Sequence, residues 1–226
     1  METTELIALL KIEFESSKNT FYAKQMEDYM KNHFRFFGIR APERKQIQKP
    51  ILDEIHRSYC PADRLKLISA LWEMDEREYQ LAAMDLLNKF KTADFVASDI
   101  DRLEYLIITK SWWDSVDTIA SNALGVYFKY FPEQQKITIN KWSNSGNIWL
   151  MRSCLIFQLK YKKGVDFELL TNLIRKFQSN NEFFIQKAIG WSLRQYSKYD
   201  PQAVRDFMAE NKLSGLAKRE ASKYLG

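Results

Sequence analysis

Apolar residues recur at intervals of three and four along almost the whole chain, the spacing that lines one face of an α-helix. Only 7 glycines and 5 prolines interrupt the 226 residues, and alternating β-branched runs are short. The pattern predicts an all-α chain. Helices are expected near residues 3–16, 20–33, 42–58, 62–73, 76–91, 95–109, 113–130, 133–143, 147–162, 166–178, 183–198, 201–210 and 215–224.

Prolines and glycines fall where these helices begin or end. Four prolines stand in expected first turns, where a missing N–H is tolerated: Pro42, Pro61, Pro132 and Pro201. Three glycines lie in breaks: Gly38, Gly164 and Gly215. Pro50 is the exception, because it predicts a kink or a division inside the 42–58 helix.

The best internal match joins residues 147–160 to residues 181–194, which lie 34 positions further on. Such a spacing is typical of stacked helix pairs in a solenoid. An irregular helical bundle is the alternative. Since no domain boundary is visible, we expect one domain spanning residues 1–226.

Composition argues against several classes of protein. The longest apolar runs are far shorter than a membrane span, and the N-terminal METTELIALLKIEFE predicts an amphipathic helix rather than a signal peptide. Cys60 and Cys154 are far apart and only two histidines are present. No familiar ligand spacing exists, so neither a metal nor a cofactor is expected. A reduced, cytoplasmic protein is the natural interpretation.

Charge is distributed unevenly along the chain. Residues 1–140 carry 19 Lys and Arg against 22 Asp and Glu, whereas residues 141–226 carry 15 against 7. A basic C-terminal part favours a polyanionic partner, with nucleic acid the leading candidate. A basic but merely solvated surface is the alternative.

The predicted 183–198 helix has two different faces. Its packing face is formed by Ile185, Ala188, Ile189, Ser192 and Tyr196. A second stripe mixes aromatic and basic side chains, as nucleic-acid surfaces do: Phe184, Lys187, Trp191, Arg194 and Lys198. The alternative is that a neighbouring helix covers the aromatic residues, since most large aromatics are buried.

Two other helices carry related stripes. Trp149 and Arg152 share a face of the 147–162 helix, beside its core positions. Trp113 and Asp117 are neighbours on the surface of the 113–130 helix, because they are four residues apart. Trp112 is expected in the core. Asp117 has an alternative interpretation as an acid near a helix N-terminus, favoured by the helix dipole.

Several segments resemble the AlkD-type DNA glycosylases. They are YMKNHFRFFGIRAPERK at 29–45, LWEMDEREYQLAAMDLL at 71–87, TKSWWDSVD at 109–117, NIWLMRSCLIFQLKYK at 147–162 and NEFFIQKAIGWSLRQY at 181–196. SWWDSVD and FFIQKAIGW are highly specific strings, and the resemblance runs through nearly the whole chain.

The resemblance implies a right-handed α-solenoid of HEAT-like helix pairs that binds double-stranded DNA. It also implies a monofunctional glycosylase that excises N3- and N7-alkylated purines, such as 3-methyladenine and 7-methylguanine. Trp113, Asp117 and Trp191 correspond to the family's catalytic cleft, Arg152 to a contact with the DNA backbone, and Tyr29 to a residue nearby. The stripe adds three expected DNA-binding residues: Phe184, Lys187 and Arg194.

Two other functions are considered. A non-catalytic HEAT-repeat protein that recognises distorted DNA would use the same basic face and would not need Asp117. A protein-interaction scaffold would account for the solenoid but not for the stripe around Trp191. With no membrane partner expected, we predict a monomer associated with the bacterial nucleoid.

Overall fold

The computed structural model of the protein describes residues 3–225, with side chains from residue 5 onward. No strand forms within this range, and its only β-type contact is an isolated parallel bridge between Arg35 and Glu76. The all-α prediction is therefore confirmed. Among the described helices, none has the length and apolar character needed to cross a bilayer.

The chain divides between residues 94 and 95 into two compact units. The first contains α1 Thr3–Ser16, α2 Thr20–Tyr29, α3 Ala41–Ser58, α4 Pro61–Glu73 and α5 Arg77–Leu87. The second contains α6 Asp99–Ile108, α7 Trp113–Ile119, α8 Gly125–Tyr130, α9 Pro132–Ser143, α10 Ile148–Ile156, α11 Phe167–Phe177, α12 Phe183–Tyr196, α13 Pro201–Glu210 and α14 Gly215–Ala221. A single domain of HEAT-like pairs over residues 1–226 stays a prediction.

Local signals explain most helix boundaries. The four prolines do lie in the first turns of α3, α4, α9 and α13, and side chains of Asn19, Asn147, Asp166, Asp200 and Ser214 cap helices by accepting backbone N–H bonds. Helix α2 ends earlier than predicted because Lys31 and Asn32 adopt left-handed backbone conformations.

Other predictions about boundaries also need correction. Helix α3 runs without a break through Pro50, so a division there is wrong. The predicted 113–130 helix is interrupted by a π-helical turn at Ala120–Leu124, a feature that is frequent at functional sites. Gly215 is the first residue of α14 and not part of a break.

In the first unit, the loop before α3 is bound by a buried carboxylate. Glu78 of α5 accepts backbone N–H bonds from Phe37, Gly38 and Ile39 at 2.9–3.1 Å. Burial raises the pKa of Glu78, and these hydrogen bonds oppose the rise. Gly38 has φ +89°, and a Cβ there would lie 2.1 Å from the carbonyl oxygen of Asn19. The loop therefore requires glycine at this position.

Replacing Gly38 by alanine is expected to lower the free energy of unfolding by at least about 2 kcal/mol, since the change combines an unfavourable φ with a backbone overlap. Urea denaturation measures the change. The matched control is Gly146→Ala, which also has positive φ but has open space around its Cβ position. Equal losses in the two variants would show that the overlap with Asn19 has no effect.

In the second unit, α10 lies at the centre. Residues 150–159 are all buried, and helices α6, α7, α9, α11 and α12 pack around α10. The two segments matched in sequence, α10 and α12, pack directly on each other, and the Ser192 hydroxyl donates a 2.7 Å hydrogen bond to the carbonyl of Leu155. This arrangement places the side chains of α7, α10 and α12 in one neighbourhood.

Candidate functional site

Asp117 and Arg152 form a two-pronged ion pair between α7 and α10. The Nε and Nη2 atoms of Arg152 donate to the two carboxylate oxygens of Asp117 at 2.6 and 2.8 Å. The remaining arm, Nη1, donates to the backbone carbonyl of Phe184 on α12 at 2.5 Å. A bidentate pair of this kind is among the stronger charge-assisted contacts. Arg152 therefore joins three helices at one point.

The pair is largely removed from solvent. The side chain of Arg152 is 5% exposed and that of Asp117 is 17% exposed. Burial raises the pKa of Asp117, the hydrogen bonds and charge of Arg152 act in the opposite direction, and the nearby charge of Asp114 raises it further. A carboxylate in this setting has low solvation and one fixed counter-charge.

The interpretation of Asp117 as a helix-terminal acid is not supported by its position. Asp117 is the fifth residue of α7, and the first-turn acid of that helix is Asp114. Helix-dipole stabilisation is confined to the first turn. The environment of Asp117 is instead determined by burial and by the guanidinium of Arg152.

A cluster of three aromatic rings adjoins the ion pair. The ring centroids of Trp112, Trp149 and Phe184 lie 4.9–5.9 Å from one another, and the guanidinium of Arg152 lies 5.9 Å from the Phe184 ring. All three residues are half-buried. Trp112 was expected in the core, and Phe184 in an exposed stripe. Both residues are instead partly buried and partly exposed, because α7, α10 and α12 meet here.

Trp113 and Trp191 are both half-buried, which leaves part of each indole accessible. Trp113 begins α7, one helical turn before Asp117, so their side chains share a side of the helix. Trp191 lies seven residues after Phe184 on α12, which is about 10 Å along the helix axis. The structure thus brings Asp117, Arg152 and Phe184 into contact and places the two indoles one and two turns from that contact.

The position of Arg152 differs from the prediction that it belongs to a basic surface. We expected it in a stripe beside the core of α10, but Arg152 is buried. The physical reason is that residues 150–156 of α10 are enclosed by neighbouring helices. Its guanidinium binds Asp117 and Phe184, and a contact with a DNA phosphate stays a prediction.

Lys187 and Arg194 project from α12 as expected, but each is bound to an acid. Glu220 of α14 accepts from Lys187 Nζ at 2.9 Å and from Arg194 Nη1 at 2.7 Å, and it also accepts from Lys223 at 2.8 Å. Hydrogen bonds from Lys223 and Lys187 hold the pKa of Glu220 at about 2. Helix α14 thus lies against the two basic residues of the α12 stripe.

Tyr29 lies in the first unit, as the last residue of α2, and 69% of it is exposed. Sequence reasoning missed the acid Glu220 and the roles of Trp112 and Trp149 as partners of Phe184. Glu220 is the only acidic residue in the sequence GLAKREASKYLG, and that isolated acid was the one available signal. Within residues 3–225, no group of three or more His, Cys, Asp or Glu is arranged to hold a metal ion.

The chain resembles known proteins in sequence and in structure. Residues 10–225 match the family described as DNA alkylation repair enzyme. The structure resembles a "Predicted DNA alkylation repair enzyme from Enterococcus faecalis", with 38% identity and a TM-score of 0.85, over 92% of this chain and 97% of that one. It shares its fold with AlkD2 from Streptococcus mutans at 17% identity and a TM-score of 0.61, over 80% and 89% of the two chains. Among curated proteins, no match was found. The chain belongs to the DNA alkylation repair enzyme family.

Proposed function

We propose that this protein is a monofunctional DNA glycosylase that releases N3- and N7-alkylated purines from duplex DNA. The observation that carries the proposal is the partly buried Asp117 carboxylate, fixed by Arg152 one helical turn from the half-buried indole of Trp113. Membership of the alkylation repair family supports the class of damage. The substrate range and the hydrolytic chemistry are the parts that the proposal adds.

Alkylation at N3 or N7 gives the purine a formal positive charge, so the base leaves without being protonated. Water adds to C1′, the electrons of the C1′–N bond neutralise the purine, and the proton of the water passes to a base or to solvent. The step requires stabilisation of an oxocarbenium-like sugar and placement of the water. A strong general acid is not required.

The side chains of this site fit that requirement. A carboxylate in a poorly solvated position stabilises developing positive charge and orients water. Arg152 holds the carboxylate oxygens of Asp117 in one orientation, which lowers the reorganisation needed during the reaction. Indole π-faces attract cations at about 0.5–2 kcal/mol each, and we assign the contact with the cationic base or sugar to Trp113 and Trp191.

A non-catalytic protein that binds distorted DNA is a second candidate. The observation that favours it is the engagement of both carboxylate oxygens of Asp117 by Arg152, because an acid that only supports the fold would show the same geometry. The basic C-terminal part of the chain would serve both functions equally.

Base release separates the two candidates. We expect the protein to release free 7-methylguanine from an N7-methylguanine duplex, as detected by chromatography, and to leave the DNA strand uncut until the abasic site is cleaved by alkali. A uracil-containing duplex is the control, since a neutral base gains little from this site. Binding to both duplexes without release of any base would favour the non-catalytic candidate.

A further inference from the structure

The three cations on Glu220 lie on one side of the second unit, at the contact of α12 with the C-terminal residues. Lys187 and Arg194 come from α12, and Lys223 follows α14 in the 3₁₀ turn Ser222–Tyr224. All three contact the same carboxylate at 2.7–2.9 Å. Three positive charges share one negative charge, so the cluster keeps a net charge of about +2.

The close approach of α14 to α12 depends on Gly190. A Cβ at this position would lie 2.5 Å from the Cβ of Glu220 and 2.7 Å from the carbonyl oxygen of Ala217. Glycine in the middle of a helix is unfavourable for helix stability. Its presence brings the backbone of α14 close enough for Glu220 to reach both cations of α12. Gly190 therefore lowers the helix propensity of α12 at the position where α14 approaches and the three cations meet Glu220.

Lys187, Arg194 and Lys223 retain N–H donors that Glu220 does not use, and they remain accessible to solvent. The side chains are 37% exposed for Lys187, 22% for Arg194 and 48% for Lys223, whereas that of Glu220 is 7% exposed. An ammonium group has three N–H donors and a guanidinium has five, and the contact with Glu220 uses one from each. The acid is thus buried while the three cations stay partly exposed, and the contact with Glu220 leaves further donors on each cation.

We propose that Lys187, Arg194 and Lys223 form a binding site for one phosphate of the DNA backbone, with Glu220 as the residue that positions the three cations. The inference rests on the proposed function, because it takes duplex DNA as the ligand. Trp191 lies between Lys187 and Arg194 on the same face of α12, since the three are spaced by four and three residues. A phosphate bound here places the DNA backbone beside the indole of Trp191.

The first test compares Lys223→Ala with Lys218→Ala, using undamaged duplex DNA at a series of salt concentrations. Lys218 is exposed on α14 and lies two residues from Glu220, so it projects to another side of the helix. We expect Lys223→Ala to weaken binding about 3- to 10-fold and to reduce the slope of log affinity against log salt by about 1, as for a lost phosphate contact. Lys218→Ala should leave the slope unchanged, and melting temperatures should stay close to wild type in both variants.

The second test addresses the positioning role of Glu220. Glu220→Gln raises the net charge by one, which by itself strengthens binding to DNA. We expect weaker binding instead, because the amide accepts fewer hydrogen bonds and the cations separate. Glu210→Gln, an exposed acid at the end of α13, is the matched control and should bind DNA as well as wild type or better.

Two outcomes would overturn the inference. Equal effects of Lys223→Ala and Lys218→Ala on affinity and slope would mean that the cluster only fastens α14 to α12, while release of 7-methylguanine by the wild type would leave the proposed function intact. A wild-type protein that binds duplex DNA independently of salt, or not at all, would contradict both the phosphate site and the proposed function.

Discussion

Asp117→Asn is expected to reduce single-turnover release of 7-methylguanine by about 100-fold or more. The substitution keeps the size of the side chain and removes the charge that stabilises an oxocarbenium-like sugar, and electrostatic contributions of this kind are typically worth two to three orders of magnitude. Affinity for DNA should remain near that of wild type or rise slightly, because a carboxylate no longer repels phosphates. Single-turnover conditions separate the chemical step from binding and product release.

The same substitution is expected to lower stability, because Arg152 loses its counter-charge inside the protein. Since Arg152 is 5% exposed, we expect a loss of about 2–4 kcal/mol in the free energy of unfolding. Melting curves therefore accompany the kinetics, and rates are measured well below the melting temperature of the variant. Asp114→Asn is the matched control, since it makes the same chemical change three residues earlier on α7. Unchanged base release in Asp117→Asn would remove this residue from the catalytic site.

Arg152→Gln is expected to shift the pH dependence of excision. The active form of Asp117 is charged, so activity is present above its pKa and is lost as the pH falls through that pKa. Burial raises the pKa of Asp117 and Arg152 opposes the rise. Without the guanidinium, burial and the charge of Asp114 both raise the pKa of Asp117, and the acidic limb of the single-turnover pH profile should move to higher pH. At neutral pH we expect the single-turnover rate of excision to fall by roughly 10- to 100-fold.

Arg152→Lys provides the control for charge. A lysine keeps the positive charge but not the planar fork that binds both carboxylate oxygens. We expect the acidic limb to return most of the way to its wild-type position, with only partial recovery of the rate. The competing role for Arg152 is a direct contact with a DNA phosphate. If Arg152→Gln weakens DNA affinity and leaves the pH profile at saturating enzyme unshifted, that result supports the phosphate contact. It would contradict the role of Arg152 in positioning Asp117.

Local features of the fold could be predicted from the sequence because their causes act over three or four residues. The helical period, the prolines of the first turns and the basic excess after residue 140 are of this kind. The resemblance to AlkD-type glycosylases likewise identified Asp117 and Arg152 as candidates by residue. It did not indicate that the two side chains bind each other.

Interactions over long sequence separations were decided by tertiary packing. Asp117 meets Arg152 across 35 residues, and Glu220 meets Lys187 across 33. Helical periodicity shows which positions share a face but not which helix covers that face. The sequence by itself therefore determined an all-helical chain with aromatic and basic stripes. Two features of the tertiary structure decided the rest. The enclosure of α10 buries Arg152 against Asp117. The close approach of α14 at Gly190 brings Lys187 and Arg194 of α12 to Glu220.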